Sequence, residues 1–324
     1  DRGDSYVFRP SAKEKPLKIL QSAANLTKNG VFEKEITLSY SYACPKDYDF
    51  TADMRNKETK EMIGEVKIKL ASDGKVEINY SVNNVCKDHK IRFGFDFGVN
   101  ADGLVTDSAF DFGKSDGTEC FEYTLDRSVC NSTCAYASDN KNAFTVYTEG
   151  QHEAELAPGG MVITLARCTG YINKTPDCVP TGGAQWIVPG NQCLREMSGR
   201  LGLELGVQTP ASCFAEAKVF RTGLLTATDS FDKKTYSRGR FAVQSAELEK
   251  YYFSKDKFEG KVVTPSAKFR FEGEDVINTS YRIAESGFAE ARFVNFKSSD
   301  GTLKIAYDGA FELVRLDGKE TLQS

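Results

Sequence analysis

His89 and His152 are the only imidazoles in this 324-residue chain. They lie in Lys-Asp-His-Lys and Gln-His-Glu, with no partner at helical or short-loop spacing. A two-histidine metal site or a histidine general base would have to use them. A surface or strand-end position explains each more simply. Three carboxylates, Asp102, Asp107 and Asp111, share one loop region. Hydrolysis by paired carboxylates needs two of them facing each other at about 5–9.5 Å. Spacing in an all-β chain does not display that geometry, and turn capping by side-chain oxygens accounts for these three. No Gly-x-Ser-x-Gly elbow, phosphate loop or dinucleotide fingerprint occurs. From the residues alone, no catalytic group and no metal site is expected.

Nine cysteines, an odd number, are spread along the chain. Cys130-Asn-Ser-Thr-Cys134 is the one close pair, and it lacks a second Cys or His pair at zinc-finger spacing. Free thiols in a reducing cytosol are the expectation, so a cytoplasmic location is read. Four glycosylation sequons begin at Asn25, Asn131, Asn173 and Asn278, and they matter only if the chain is secreted. A net charge of −4 supplies no basic field for nucleic acid or an anionic membrane. No apolar run approaches the ~18 residues of a membrane span. The first residue is not Met and opens into polar sequence, so a fragment or processed product is expected.

Alternating strands dominate the elements that would position these groups. Ile91, Phe93, Phe95 and Phe97 fall on one face of an extended run, and Lys90, Arg92, Gly94 and Asp96 on the other. Asp73-Gly74 reads as a tight turn into Val76, Ile78, Tyr80 and Val82. Residues 34–42, 63–70, 119–125 and 143–147 are further strand-like runs. Met161–Cys168 is nearly continuous in apolar character and predicts a strand buried on both faces. Residues 173–213 are rich in Pro and Gly, hold the single Trp, Trp186, and read as a long coil. Leu201 to Val207 alternates within that stretch, and residues 211–219 form the best short helix. A polar stretch over 229–239 marks a boundary, followed by short alternating runs that include 241–243, 267–271, 277–283, 290–296, 303–307 and 310–316. The expected class is all-β: a large antiparallel β-sandwich over residues 1–228 and a smaller C-terminal β-sandwich over 229–324.

Five stretches carry a resemblance. The opening, Asp1-Arg-Gly-Asp-Ser-Tyr-Val-Phe-Arg-Pro10, resembles the signature that marks the passage from the catalytic half to the β-sandwich half of the family 38 α-mannosidases. Arg2-Gly3-Asp4, which also spells an integrin tripeptide, falls inside it. Asn83-Asn84 through Lys87-Asp88-His89-Lys90-Ile91-Arg92 and on to Asp107-Ser-Ala-Phe110-Asp111 is similar to that family's strand and Asp-Ser-Pro-Phe-Asp loop. Glu149-Gly150 and then Thr164-Leu165-Ala166-Arg167-Cys168-Thr169-Gly170-Tyr171 resembles its turn and Leu-Thr-Leu-Leu-Arg-Ser-x-Gly-Trp strand. Pro189-Gly190-Asn191-Gln192-Cys193 is close to Pro-Gly-Ala-Gln-Cys of bacterial members. Residues 278–295 resemble the last sandwich.

What the resemblance implies is a supersandwich that is the non-catalytic C-terminal half of an α-mannosidase-like protein. It would complete one wall of the active site and stabilise an absent catalytic barrel. The family's zinc and catalytic Asp belong to that N-terminal catalytic domain, the expected partner, where retaining hydrolysis of α-mannosides takes place. By the same resemblance, Tyr6 and Arg167 are substrate-proximal in the intact enzyme, with anchoring at a domain junction and a structural salt bridge as their alternatives. Alone, the chain is expected to hydrolyse nothing. The rival reading is a free-standing carbohydrate-binding β-sandwich, for which Trp186 is the residue to inspect.

Overall fold

The computed structural model describes residues 1–11, 17–109, 111–118, 127–174, 185–223, 269–273, 275–283, 289–296, 300–307, 313–314 and 321–322. The strand expected at 119–125, the polar boundary at 229–239 and the run at 241–243 lie outside them, as do Phe110, Cys120 and Cys178. The strands, in chain order, begin with β1 (Lys18–Asn29), β2 (Glu33–Pro45), β3 (Tyr48–Asp49), β4 (Met54–Arg55), β5 (Thr59–Ala71), β6 (Val76–Asn83) and β7 (His89–Asp96). Next come β8 (Leu104–Asp107), β9 (Phe112–Ser115), β10 (Ser128–Cys130), β11 (Cys134–Ser138), β12 (Ala143–Thr148), β13 (Glu153–Ala157) and β14 (Gly160–Cys168). Then follow β15 (Tyr171–Asn173), β16 (Trp186–Ile187), a 3-10 turn (Pro189–Gln192), β17 (Glu196–Leu205) and the helix α1 (Pro210–Thr222). The last described strands are β18 (Phe269–Gly273), β19 (Val276–Ile283), β20 (Ala289–Asn295), β21 (Leu303–Tyr307), β22 (Leu313–Val314) and β23 (Thr321–Leu322).

The protein is all-β, with every described strand pair antiparallel. A nine-stranded sheet runs β1-β2-β5-β6-β17-β12-β11-β8-β9, and a four-stranded sheet runs β10-β13-β14-β7. The two lie face to face over one core. Val66, Ile78, Leu104, Phe144, Val146 and Leu201 come from the large sheet, and Phe95, Ala154, Met161 and Ile163 from the small one. Such burial of aliphatic and aromatic surface is the main force holding the layers together. Phe95 and Phe144 meet across them with ring centroids 6.3 Å apart.

The alternating runs sit where their period places them. On β6 the inward residues Ile78, Tyr80 and Val82 are buried. Gly74 takes a φ of 85° in the turn before it, a conformation that suits glycine. Met161 and Ile163 of β14 are fully buried, while Thr164 is nearly so and Leu165 to Arg167 are half-buried. Strand β12 is buried along its whole length. By contrast, β1 is an edge strand exposed at every position. Helix α1 opens with a reciprocal cap between Thr209 and Ser212 and has Pro210 in its first turn. It packs Cys213 and Ala217 against Cys134 and Tyr147.

Close contacts gather the chain into two compact units. One holds Asp1–Gly223 with Asp275–Asp300, and the other holds Leu224–Glu274 with Gly301–Ser324. In the first unit, Phe296 stacks near Phe112 and Phe214, at 5.2 and 5.3 Å between ring centroids. In the second, β18 pairs with β21 in a two-stranded ribbon.

Candidate functional site

The first nine residues form a tight loop organised by two carboxylates and a glycine. Asp1 Oδ1 accepts from the backbone N–H of Gly3 at 2.9 Å and of Arg9 at 3.2 Å. Asp4 Oδ1 accepts from the N–H groups of Tyr6 and Val7, both at 2.9 Å, and Asp4 Oδ2 accepts from that of Lys174 at 3.0 Å. Both carboxylates are buried, so these bonds and their charge partner stabilise groups that would otherwise be costly to desolvate. The partner is Arg167, whose Nε donates to Asp1 Oδ2 at 2.7 Å. Its Nη2 donates to the carbonyls of Asp4 and of Val7, the latter at 2.8 Å. A Cβ on Gly3 would stand 1.8 Å from the Val7 carbonyl oxygen, so only glycine fits there. Phe8 lies under two cations, with Lys90 Nζ 4.5 Å and the Arg167 guanidinium carbon 5.7 Å from its ring centroid.

Below the loop, residues far apart in sequence interlock. The Asp1 nitrogen donates to the Asp88 carbonyl at 2.8 Å. Asp88, in a left-handed conformation at φ 56°, receives Gln192 Nε2 on Oδ1 at 2.7 Å. Its own N–H returns to Gln192 Oε1 at 2.9 Å. Asn84 Nδ2 donates to the carbonyls of Gln192 and Cys193 at 2.9 and 3.0 Å. Ser5 N–H bonds the Tyr171 carbonyl at 3.0 Å, and Val188 N–H bonds that of Gly170 at 2.8 Å. The stretches 1–9, 84–90, 167–171 and 189–193 thus make one hydrogen-bonded knot at the end of the sandwich where β14 terminates. A buried network whose carboxylates, Asp1, Asp4 and Asp88, all accept hydrogen bonds favours a single arrangement.

Residues 1–177 match the family model described as the glycosyl hydrolases family 38 C-terminal domain. The chain belongs to this family. Among solved structures it is similar to an alpha-mannosidase from Enterococcus faecalis, at 16% identity and a TM-score of 0.57, over 67% of this chain and 26% of that one. It is also similar to a protein in the glycosyl hydrolase family 38 from Enterococcus faecalis, at 15% identity and a TM-score of 0.71, over 99% of this chain and 37% of that one. At these identities the likeness establishes a shared fold. The chain spans well under half the length of either structure. Comparison with the curated proteins found no match.

Within this family domain the knot presents a distinct outer face. Tyr6 is 65% exposed, although its backbone is pinned by Asp4. Trp186 and Ile187 are also exposed, on the short ribbon β15–β16. Arg167 faces the loop, with its side chain one-fifth exposed. Behind it, Lys174 Nζ stands 3.3 Å from the centroid of the Phe50 ring.

The remaining residues with chemical potential are dispersed. His89 is buried at the start of β7, with Nδ1 3.2 Å from the Lys87 carbonyl oxygen. Burial lowers its pKa to about 4, against the opposing pull of that carbonyl. The ring is therefore neutral at pH 7, and Nδ1 carries its proton. His152 Nδ1 lies 3.2 Å from the Asn131 carbonyl oxygen, on a different strand connection. Among the described residues no three His, Cys, Asp or Glu side chains converge as a metal site. Asp107 is buried and accepts from the N–H groups of Ser132, Thr133 and Cys134 at 2.8–3.0 Å, the capping role read from its loop. Asp102 pairs with Lys114 at an exposed position. Of the sequon asparagines, Asn131 and Asn173 are buried, and Asn25 projects from the exposed β1. No helix among the described residues is long and apolar enough to cross a membrane.

Sequence reasoning identified Arg167 because a cation on an apolar strand needs a partner. It missed the Asp1 carboxylate as that partner, and the Asp4 and Val7 carbonyls as its further acceptors. It also missed the Asp88–Gln192 clasp, whose members are 104 residues apart.

Proposed function

We propose that this chain is the non-catalytic C-terminal β-sandwich half of an α-mannosidase-like glycoside hydrolase. In the intact protein it packs against the catalytic domain and completes one wall of the active site with its N-terminal loop. The supporting observation is the loop itself. Two buried carboxylates and Arg167 hold its backbone, while Tyr6 is left 65% exposed. A preorganised donor on a rigid support is what stabilisation of developing charge requires. Tyr6 would donate a hydrogen bond to the bound sugar, and Arg167 would sit directly behind it, positioning the loop.

In this reading the parent reaction is retaining hydrolysis of α-mannosides. The attacking carboxylate belongs to the catalytic domain and forms a glycosyl-enzyme that water then releases. Zinc belongs to that domain as well. The division of the chain at residue 228, with a smaller sandwich beyond it, and a cytoplasmic location are part of the same reading.

A substitution tests the wall role. Tyr6→Phe in the full-length protein should lower kcat on an aryl α-mannoside by about 100- to 1,000-fold, the scale for one lost donor, with an unchanged melting temperature. An unchanged kcat would remove Tyr6 from the site. A second reading, a carbohydrate-binding module, draws on the exposure of Trp186 and Ile187. Calorimetric binding of a mannose oligosaccharide by the isolated chain, lost in Trp186→Ala, would favour it.

A further inference from the structure

A cleft on the outer face of the large sheet is used by neither the family assignment nor the wall role. It lies over β1, β2 and β5, has a volume of about 550 Å³, and its lining includes Gln21, Ser39, Ser41, Glu61 and Ile63. That volume falls within the range of small-molecule sites, roughly 300–1,000 Å³. The N-terminal loop and the Asp88–Gln192 clasp contribute no residue to it. The sequence explains the hollow. Ser39 and Ser41 are two residues apart on β2, so both side chains point to one face. Register sets Gln21 of β1 on one side of Ser41 and Ile63 of β5 on the other. Glu61 lies opposite Ala43, one step further along the same face. Short side chains on the middle strand, flanked by longer ones, make a trough. On the β1 side it meets a bulge, because Ile19 pairs with Tyr42 and Gln21 with Ser41, leaving Leu20 over. Bulges re-aim side chains and recur at sheet edges and beside active sites.

Three features of the trough call for a ligand. Ser41 is buried, yet its Oγ has no hydrogen-bond partner among the described residues, a costly state for a hydroxyl. Gln21 and Glu61 are exposed, and neither side chain is hydrogen-bonded or ion-paired among the described residues. Ile63 and Leu20, 55% and 42% exposed, add apolar surface. A hydroxyl, a carboxamide and a carboxylate beside aliphatic surface match a sugar ring. They offer donors and acceptors to its hydroxyls and an apolar wall to its C–H face. The carboxylate repels an anionic ligand. A simple cation would leave the Ser41 and Gln21 donors unmatched.

We propose that this cleft binds one neutral sugar unit, at a site separate from both Tyr6 and Trp186. Glu61 accepts hydrogen bonds from the sugar hydroxyls, Gln21 and Ser41 exchange hydrogen bonds with others, and Ile63 and Leu20 cover the C–H face. The inference does not rest on the wall role, so the failure of either leaves the other standing.

The test is a saturation-transfer NMR titration of the 324-residue chain with the methyl glycosides of mannose, glucose and galactose. The expected result is millimolar binding of at least one of them. Glu61→Gln, a change at an exposed position, should weaken that binding about 10-fold, as loss of a charged acceptor does. Ser41→Ala should weaken it as well. It should leave the melting temperature of the unliganded chain unchanged or higher, because the hydroxyl has no partner there to lose. Trp186→Ala should bind as the unaltered chain does. Four results would each overturn the inference: no binding of any of these glycosides, binding that survives both Glu61→Gln and Ser41→Ala, binding abolished by Trp186→Ala, or a Ser41→Ala chain that melts lower and still binds fully.

Discussion

The guanidinium of Arg167 joins a carboxylate and two carbonyls of a loop some 160 residues away in sequence. Removing it leaves Asp1 buried without its cation, the costly way to break such a pair. Arg167→Met should therefore destabilise the chain by roughly 3 kcal/mol, read as a lower urea midpoint. Gly3→Ala should cost about 2 kcal/mol or more by overpacking against the Val7 carbonyl. His89 supplies a pH signature. Its folded pKa of about 4 lies below the ordinary 6.5, so the unfolded chain binds the proton more readily. Stability is then unaffected by this group above pH 6.5 and falls as pH drops from 6.5 towards 4. At pH 4 the loss is roughly 3 kcal/mol. His89→Gln should flatten that part of the stability profile measured by urea unfolding at successive pH values, and an identical slope in both proteins would contradict the assignment.

Strands were legible in the sequence where one face is buried and the other wet. Runs such as Val76–Val82 and Ile91–Phe97 had to alternate, because a one-residue slip would turn every apolar side chain outward. The edge strand β1 carries no such constraint, since it is exposed throughout, and its residues Lys18–Asn29 gave no pattern to read. Helix α1 falls where the short helix over 211–219 was expected, though it begins at Pro210 and extends to Thr222, beyond the expected end. In the candidate site, Arg167 stood out as an isolated cation on an apolar strand. Asp88 and Gln192 did not, because loop-to-loop hydrogen bonds leave no periodic trace. Asp107 shows how an acidic loop residue can be structural: its carboxylate collects three N–H groups at the start of β11. Asp107→Ala should lower stability by about 3 kcal/mol, whereas Asp102→Ala, at an exposed ion pair, should change the urea midpoint little.

At the scale of the whole molecule, two facing antiparallel sheets build a rigid support. Their buried carboxylates serve backbone N–H groups and Arg167, and in the described residues they form no metal cluster. The family assignment and the length of the similar structures, of which this chain spans 26% and 37%, fit a domain that works beside another. The reactive groups of the proposed hydrolysis are then supplied from outside this sandwich. Turnover of an aryl α-mannoside by the isolated chain and by the full-length protein, assayed side by side, tests this most directly. The account predicts turnover by the full-length protein and none by residues 1–324. Hydrolysis by the isolated chain that disappears when one of its own Asp or Glu residues is replaced would contradict it.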